Sequence, residues 1–311
     1  MRNMRQRTLK TSIKCVGTAL HSGEKVSMTL KPADENSGVL FRRTDIAGKG
    51  SSIPARWDHV VDTQLCTMIG NKEGVTVSTI EHLMAALAGC GIDNAEIEIN
   101  GPEVPIMDGS AAPFVFLIEC AGIFKQEAER KVIRIEKPIR LEEDGKTVEL
   151  LPDRGFSLGM SIDFDNDAIS KQDMEVGLAD GIFKQDISRA RTFGFLHEVE
   201  YLRSVGLAKG GSLDNAIVIS ADGVMNEGGL RFEDEFVRHK VLDAVGDLYL
   251  AGAQIMGQFR GVCSGHAMNN KILHKLFAEQ DSWSYASPEG MTDEGYLHSP
   301  VTGEHKTEAA A

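Results

Sequence analysis

Twice along this chain, runs of alternating polar and apolar residues give way to runs whose apolar residues recur every three or four positions. That double succession limits the fold more than any other feature. Side chains alternate across a strand and repeat with a period near 3.6 on a helix, so a change of period marks a change of element. The first succession opens with TLKTSIKCVG, KVSMTLKPA and GVLFRR, separated by HSG and PADENSG turns. It passes into VSTIEHLMAALAGC, where Ile80, Leu83, Met84, Leu87 and Ala88 keep a helical period. NAEIEING restores alternation, and AAPFVFLIECAGI supplies a second helix. The second succession follows KQEAERK, with VIRIEKPIRLEE, KTVELLP and FSLGMSIDF. It ends in helices over FLHEVEYLRSVG, EDEFVRHKVLDAVGDLYLAGA and HAMNNKILHKLFAEQ, with strands NAIVIS and QFRGVCS between them. Strands followed by helices, twice, predict an α+β fold of two domains. We place them at 1–126 and 127–287, joined near Gln126 to Lys131, and expect the apolar-poor stretch 288–311 to be a flexible tail.

Composition removes several classes of function. With 311 residues, two domains can each bury a core and form a cleft between them. The 33 Lys and Arg against 46 Asp and Glu leave a formal charge of −13. That excess argues against nucleic acid as a partner, because affinity for phosphate backbones comes from clustered cations. Cys15, Cys66, Cys90, Cys120 and Cys263 stand far apart, with no CxxC pair and no secretory leader before them, and read as reduced thiols of a cytoplasmic protein. No stretch approaches the roughly 18 apolar residues expected of a membrane span.

Three groups of residues can carry chemistry. Of nine histidines, only His239 has a carboxylate or another histidine four positions on, namely Asp243. On a helix that spacing puts both side chains on one face, where two ligands can reach one metal, and Asp247 continues the stripe with about 80° of drift. The same spacing also suits an ordinary helix-stabilising pair on a solvated face. Glu81 and His82 form a second group, a base beside a ligand, although Ser78-Thr79-Ile80-Glu81 equally fits a capping box. The third is His266, in SGH at a strand-to-helix junction. A helix start disfavours imidazolium unless a carboxylate such as Asp247 compensates, and a solvated cap residue is the plainer reading.

Taken together, GTALHSG, STIEHLMAAL, EVPIMDGSAAPFV, ARTFGF, GLRFEDEFVRHKVLDAVGDL and SGHAMNN resemble the zinc-dependent UDP-3-O-acyl-N-acetylglucosamine deacetylases of lipid A synthesis, in order, over about residues 6 to 280. The resemblance implies two related domains, each a sheet layered against helices, with the active site between the helical layers. It implies Zn2+ held by His82, His239 and Asp243 with a fourth position open, Glu81 as base, Thr192 at the oxyanion, and His266 as the cationic proton donor supported by Asp247. Lys240 falls where the family contacts the sugar or diphosphate. The resemblance further implies that residues 193–219 form the insert that takes the acyl chain, with Phe193, Leu196, Val199, Ala208, Gly211, Leu213, Ala216 and Val218 as substrate contacts. Read without the family, that apolar stripe is ordinary core. Gly210-Gly211-Ser212 is either a close turn past the acyl group or a flexible one. Many members carry Lys where Cys263 stands, so a diphosphate contact is missing. Phe164 is a candidate to stack on uracil where SIDF aligns with the family's corresponding strand end, and His21 is a candidate site-edge residue. A monomer acting on UDP-3-O-acyl-GlcNAc is expected. A zinc amidase for another amino sugar would keep the metal centre, whereas a mere nucleotide-sugar binder has no need of base, acid and oxyanion donor together.

Overall fold

A computed structural model describes residues 4–164, 169–178 and 181–288; the expected tail, beyond Pro288, lies outside the described residues. The α+β expectation holds. The helices are α1 (Glu81–Gly89), α2 (Ala112–Ala121), α3 (Leu196–Ser204), α4 (Glu235–Tyr249) and α5 (His266–Ala278). A five-stranded sheet runs in the order Ile13–Thr18, Lys25–Pro32, Ala95–Ile99, Val39–Arg43, Ser52–Pro54, antiparallel except where Val39–Arg43 lies parallel to Ala95–Ile99. A seven-stranded sheet is built around Gln254–Val262, which lies antiparallel to Lys146–Leu151 and parallel to Phe156–Ile162 and Val132–Ile135. Strand Ile123–Glu129 pairs back with Arg5–Leu9, so the chain closes on its own start before the second sheet begins at Val132. No helix among the described residues is long and apolar enough to cross a membrane.

Helix α1 is buried on every side, which its composition permits. Ile80, Leu83 and Leu87 fill the core, while Ala85, Ala86 and Gly89 let neighbours approach. A side chain at Gly89 would put its Cβ 1.9 Å from the Phe183 ring. The helix stops in a Schellman motif: Gly91 takes a φ of 64°, its N–H donates to Ala88 O, and the Ile92 N–H donates to Leu87 O, both at 2.9 Å. Helix α4 buries Phe236, Val237, Val241, Leu242, Val245 and Leu248. It crosses α1 so closely that a Cβ on Gly246 would lie 2.0 Å from Glu81 O and 3.0 Å from Ala85 N. The first and second halves of the chain therefore meet backbone to backbone at these two helices.

Because the atoms a methyl group would meet at Gly246 are backbone, they cannot swing aside. Gly246→Ala should lower stability by about 3 kcal/mol or more, read as the shift in a urea unfolding midpoint. An unchanged midpoint would mean that α1 and α4 do not cross at this point.

Candidate metal centre and active site

The second residue of α1 and the middle of α4 bring His82, His239 and Asp243 together, with one potential ligand atom from each all lying within 4.8 Å of one another. His82 Nε2 and His239 Nε2 lie 3.6 and 3.3 Å from Asp243 Oδ1. All three side chains are buried, so the solvated-face alternative for the α4 stripe does not hold. His239 Nδ1 sits 3.1 Å from Ala190 O; a carbonyl can only accept, so the proton is on Nδ1 and the Nε2 lone pair faces the cluster. Burial pulls His239 down to about 3 against the opposing pull of Asp243, which keeps the ring neutral. Burial disfavours the Asp243 anion, but the positive charge beside it, with the Lys240 ammonium in direct contact, holds its carboxyl well below the usual range. Its Oδ2 accepts from Lys240 Nζ at 2.7 Å, while Oδ1 is buried with no hydrogen-bond partner. A charged oxygen left so is costly in a protein interior, and the imidazole nitrogens of His82 and His239 around it make with it a donor set that fits a divalent metal with an open position.

Glu81 does not cap its helix. The N-cap residue is Ile80, without a side-chain cap bond; Ser78 Oγ donates to Pro102 O, and Thr79 Oγ1 donates to Glu103 Oε1. Glu81 Oε2 instead accepts from the Thr67 N–H at 3.0 Å. Burial raises the Glu81 carboxyl, with His266 and His82 partly offsetting it. Thr79 takes a left-handed φ of 57° just before α1, and buried Glu103 ties it to the His21 and Ser22 amides. His21 is thereby fixed beside the start of α1, with both ring nitrogens buried and unpartnered.

His266 opens α5, and its Nδ1 donates to Asp247 Oδ2 at 2.8 Å. Asn269 Nδ2 donates to the same oxygen, and Thr67 Oγ1 donates to Asp247 Oδ1 at 2.6 Å. Burial alone would lower His266; Asp247, then Asp243 and Glu81, outweigh it and raise the imidazole to about 9. It is an imidazolium at neutral pH. Thr67 is the residue the sequence reading missed. Its amide holds Glu81 and its hydroxyl holds Asp247, yet nothing in VVDTQLCTMIG marks it.

Thr192 is placed by its backbone: its N–H donates to Gly109 O and its carbonyl accepts from the Ile217 N–H, both at 2.8 Å. Burial opposes the charge on Lys240, but Asp243 raises it, and its Nζ also lies 5.9 Å from the Phe193 ring centroid. The 193–219 segment forms strands Phe193–Phe195 and Ile217–Ser220, parallel, with α3 between them in sequence. Leu196, Val199, Gly211 and Ala216 are half-buried, Ala208 and Val218 are buried, and Leu213 is 44% exposed. Phe164 packs edge-on against Phe193 and Phe195. Gly210 is neither a flexible turn nor a free one: its N–H donates to Leu20 O at 2.9 Å, and a Cβ there would lie 2.1 Å from Ala19 O. Cys263 adopts a φ of 49° and its N–H donates to Ser161 O.

Residues 6–278 match the family model described as UDP-3-O-acyl N-acetylglycosamine deacetylase, LpxC. Proteins named UDP-3-O-acyl-N-acetylglucosamine deacetylase align over nearly the whole chain. One from Chromohalobacter salexigens is 53% identical over 93% of this chain and 95% of its own. Others from Shewanella loihica and Haemophilus influenzae are each 51% identical, covering 91% and 94% of this chain and 92% and 97% of their own.

Thr67→Val removes the hydroxyl and keeps the amide on Glu81. One oxygen of the buried Asp247 carboxylate then loses its donor, which should lower stability by about 1–3 kcal/mol. Thr67→Ser, which restores a hydroxyl, should recover most of that loss in the same denaturant titration, and equal losses in both variants would deny the hydroxyl its role.

Proposed function

The chain belongs to the UDP-3-O-acyl-N-acetylglucosamine deacetylase family, and from that premise we propose that it releases acetate from the N-acetyl group of UDP-3-O-acyl-N-acetylglucosamine, as a zinc enzyme of lipid A biosynthesis. One observation carries the reading: a buried donor set of two imidazoles and a carboxylate lies among the same helices as a carboxyl raised by burial and an imidazole raised by a carboxylate. That combination suits an amide, whose cleavage needs a polarised carbonyl, a nucleophile and a protonated departure of the amine.

His82, His239 and Asp243 would hold the zinc, which when bound would supply Lewis-acid polarisation and a nucleophile available near neutral pH. Glu81, with Oε2 fixed by the Thr67 amide, takes the proton of the attacking water on Oε1. His266, kept charged by Asp247, donates to the departing amine, and with the Thr192 hydroxyl it sets positive charge against the developing oxyanion. Lys240 serves twice, neutralising Asp243 and offering charge to the sugar or diphosphate. The acyl chain runs along Phe193, Leu196, Val199, Ala208, Gly211, Ala216 and Val218, with exposed Leu213 at its solvent end. The same proposal includes two domains joined near 126–131, and a cytoplasmic monomer that has no nucleic-acid partner.

Purified protein should release acetate from UDP-3-O-acyl-GlcNAc, lose that activity on chelation and regain it with zinc. Glu81→Ala should keep its metal while turnover falls by about 10²–10⁴-fold; normal kinetics in the folded variant would remove Glu81 from the chemistry. No acetate from any acyl length, with metal bound, would refute the substrate.

Turnover should also fall on the alkaline side as pH rises through about 9, where His266 loses its proton. The groups facing His266 are Asp247, Asp243 and Glu81, all of which favour the charged form. Asp247→Asn removes the strongest of these and leaves burial to dominate, so the alkaline limb should move to lower pH. A limb unmoved in Asp247→Asn would show that another group sets it.

A further inference from the structure

We propose that Glu235 is a positioning residue for the metal centre: through Arg191 it sets the register of the segment whose Ala190 carbonyl orients His239. The inference rests on the metal-centre reading above. Glu235 and His239 stand one turn apart on α4, which puts both on one face of the helix. The segment passing that face touches both at consecutive residues. Ala190 O takes the His239 Nδ1 proton. Arg191 is gripped by Glu235, whose Oε1 accepts from the Arg191 N–H at 3.0 Å and from Nε at 2.9 Å, and whose Oε2 accepts from Nη2 at 3.1 Å. Glu235 Oε2 also accepts from the Arg231 N–H, and Arg191 Nη2 reaches Gly229 O at 2.9 Å.

Sliding the segment by one residue would break every one of these contacts, so the two attachments act as a register rather than as two independent bonds. The consequence for His239 is chemical. Its Nε2 can offer a lone pair only while the proton stays on Nδ1, and the Ala190 carbonyl is what keeps it there. If that carbonyl moves, the proton can shift to Nε2 and the donor is lost. A buried ion pair contributes little net stability compared with well-packed apolar residues. The full burial of Glu235 and its four accepted bonds therefore point to placement rather than to bulk stability. Thr192 is the next residue of the same segment, so one clamp places a ligand's partner and the oxyanion donor together.

The test uses the zinc-loaded full chain and its cobalt(II)-substituted form, comparing wild type with Glu235→Gln and Arg191→Lys. Both variants should fold, lose about 10–100-fold in zinc affinity in chelator competition, and show a changed cobalt absorption spectrum. Arg191→Lys belongs in the comparison because an ammonium cannot span both carboxylate oxygens as the guanidinium fork does. Wild-type zinc affinity and cobalt spectrum in both variants, with only a lowered melting temperature, would overturn the proposal. So would failure of both to fold, since the pair would then hold the fold and not the ligand. Should only Glu235→Gln fail to fold, Arg191→Lys decides. A wild-type chain that takes up no zinc would instead count against the metal-centre reading itself.

Discussion

Everything at the centre of this molecule depends on two helices being allowed to touch without side chains between them. Gly246 lies on the carbonyl of Glu81, and no other residue fits there. At that separation the opposing faces of α1 and α4 leave room only for what they carry in common, so His82 from one and His239 and Asp243 from the other share a single small volume. A methyl group at the crossing would part the ligands as well as the helices. The contact that joins the halves of the chain is thus also the contact that makes the site.

Such a site has to solve a solvation problem. Glu81, Asp243 and Asp247 are all buried, and the cations near them are Lys240 and His266. The fold answers with fixed donors: the Thr67 amide and hydroxyl, the Asn269 amide and the Lys240 ammonium. Each is supplied by a different element, so the polar interior ties together a loop of the first half, α4 and α5. Among the described residues, Oδ1 of Asp243, between the two imidazoles, is buried with no donor of its own.

The helices were legible because their apolar periods are long; α1, α2, α4 and α5 fall where the repeats place them. Strands of two or three residues, Val60–Asp62, Met68–Gly70 and Thr76–Val77, are too short to show alternation. The π-helix Phe183–Ile187, whose aromatic ring covers Gly89, likewise has no period to read. On α4 the i, i+4 spacing revealed the stripe but not its surroundings, since a spacing cannot tell a solvated face from a buried one. The capping-box pattern misled for a related reason: Ser78 and Thr79 have the right chemistry, but Pro102 and Glu103, distant in sequence, claim their hydroxyls. Ala190 acts on His239, and Thr67 on Glu81, through backbone groups, which every residue has and no motif reports, and the hydroxyl that Thr67 gives to Asp247 lies 180 residues from its acceptor. The assembled candidate site was legible only through the resemblance of several segments at once.

The tight seat of Gly210 against Ala19 and Leu20 has a further implication for how this protein can change. One side of the 193–219 segment is bolted to the first half of the chain, whereas α3 on the other side has no fully buried residue. Random variation is therefore tolerated unequally across the segment. If the acyl chain runs beside it, new chain-length preferences will arise by drift and selection along α3, while the loop around Gly210 stays nearly invariant between lineages.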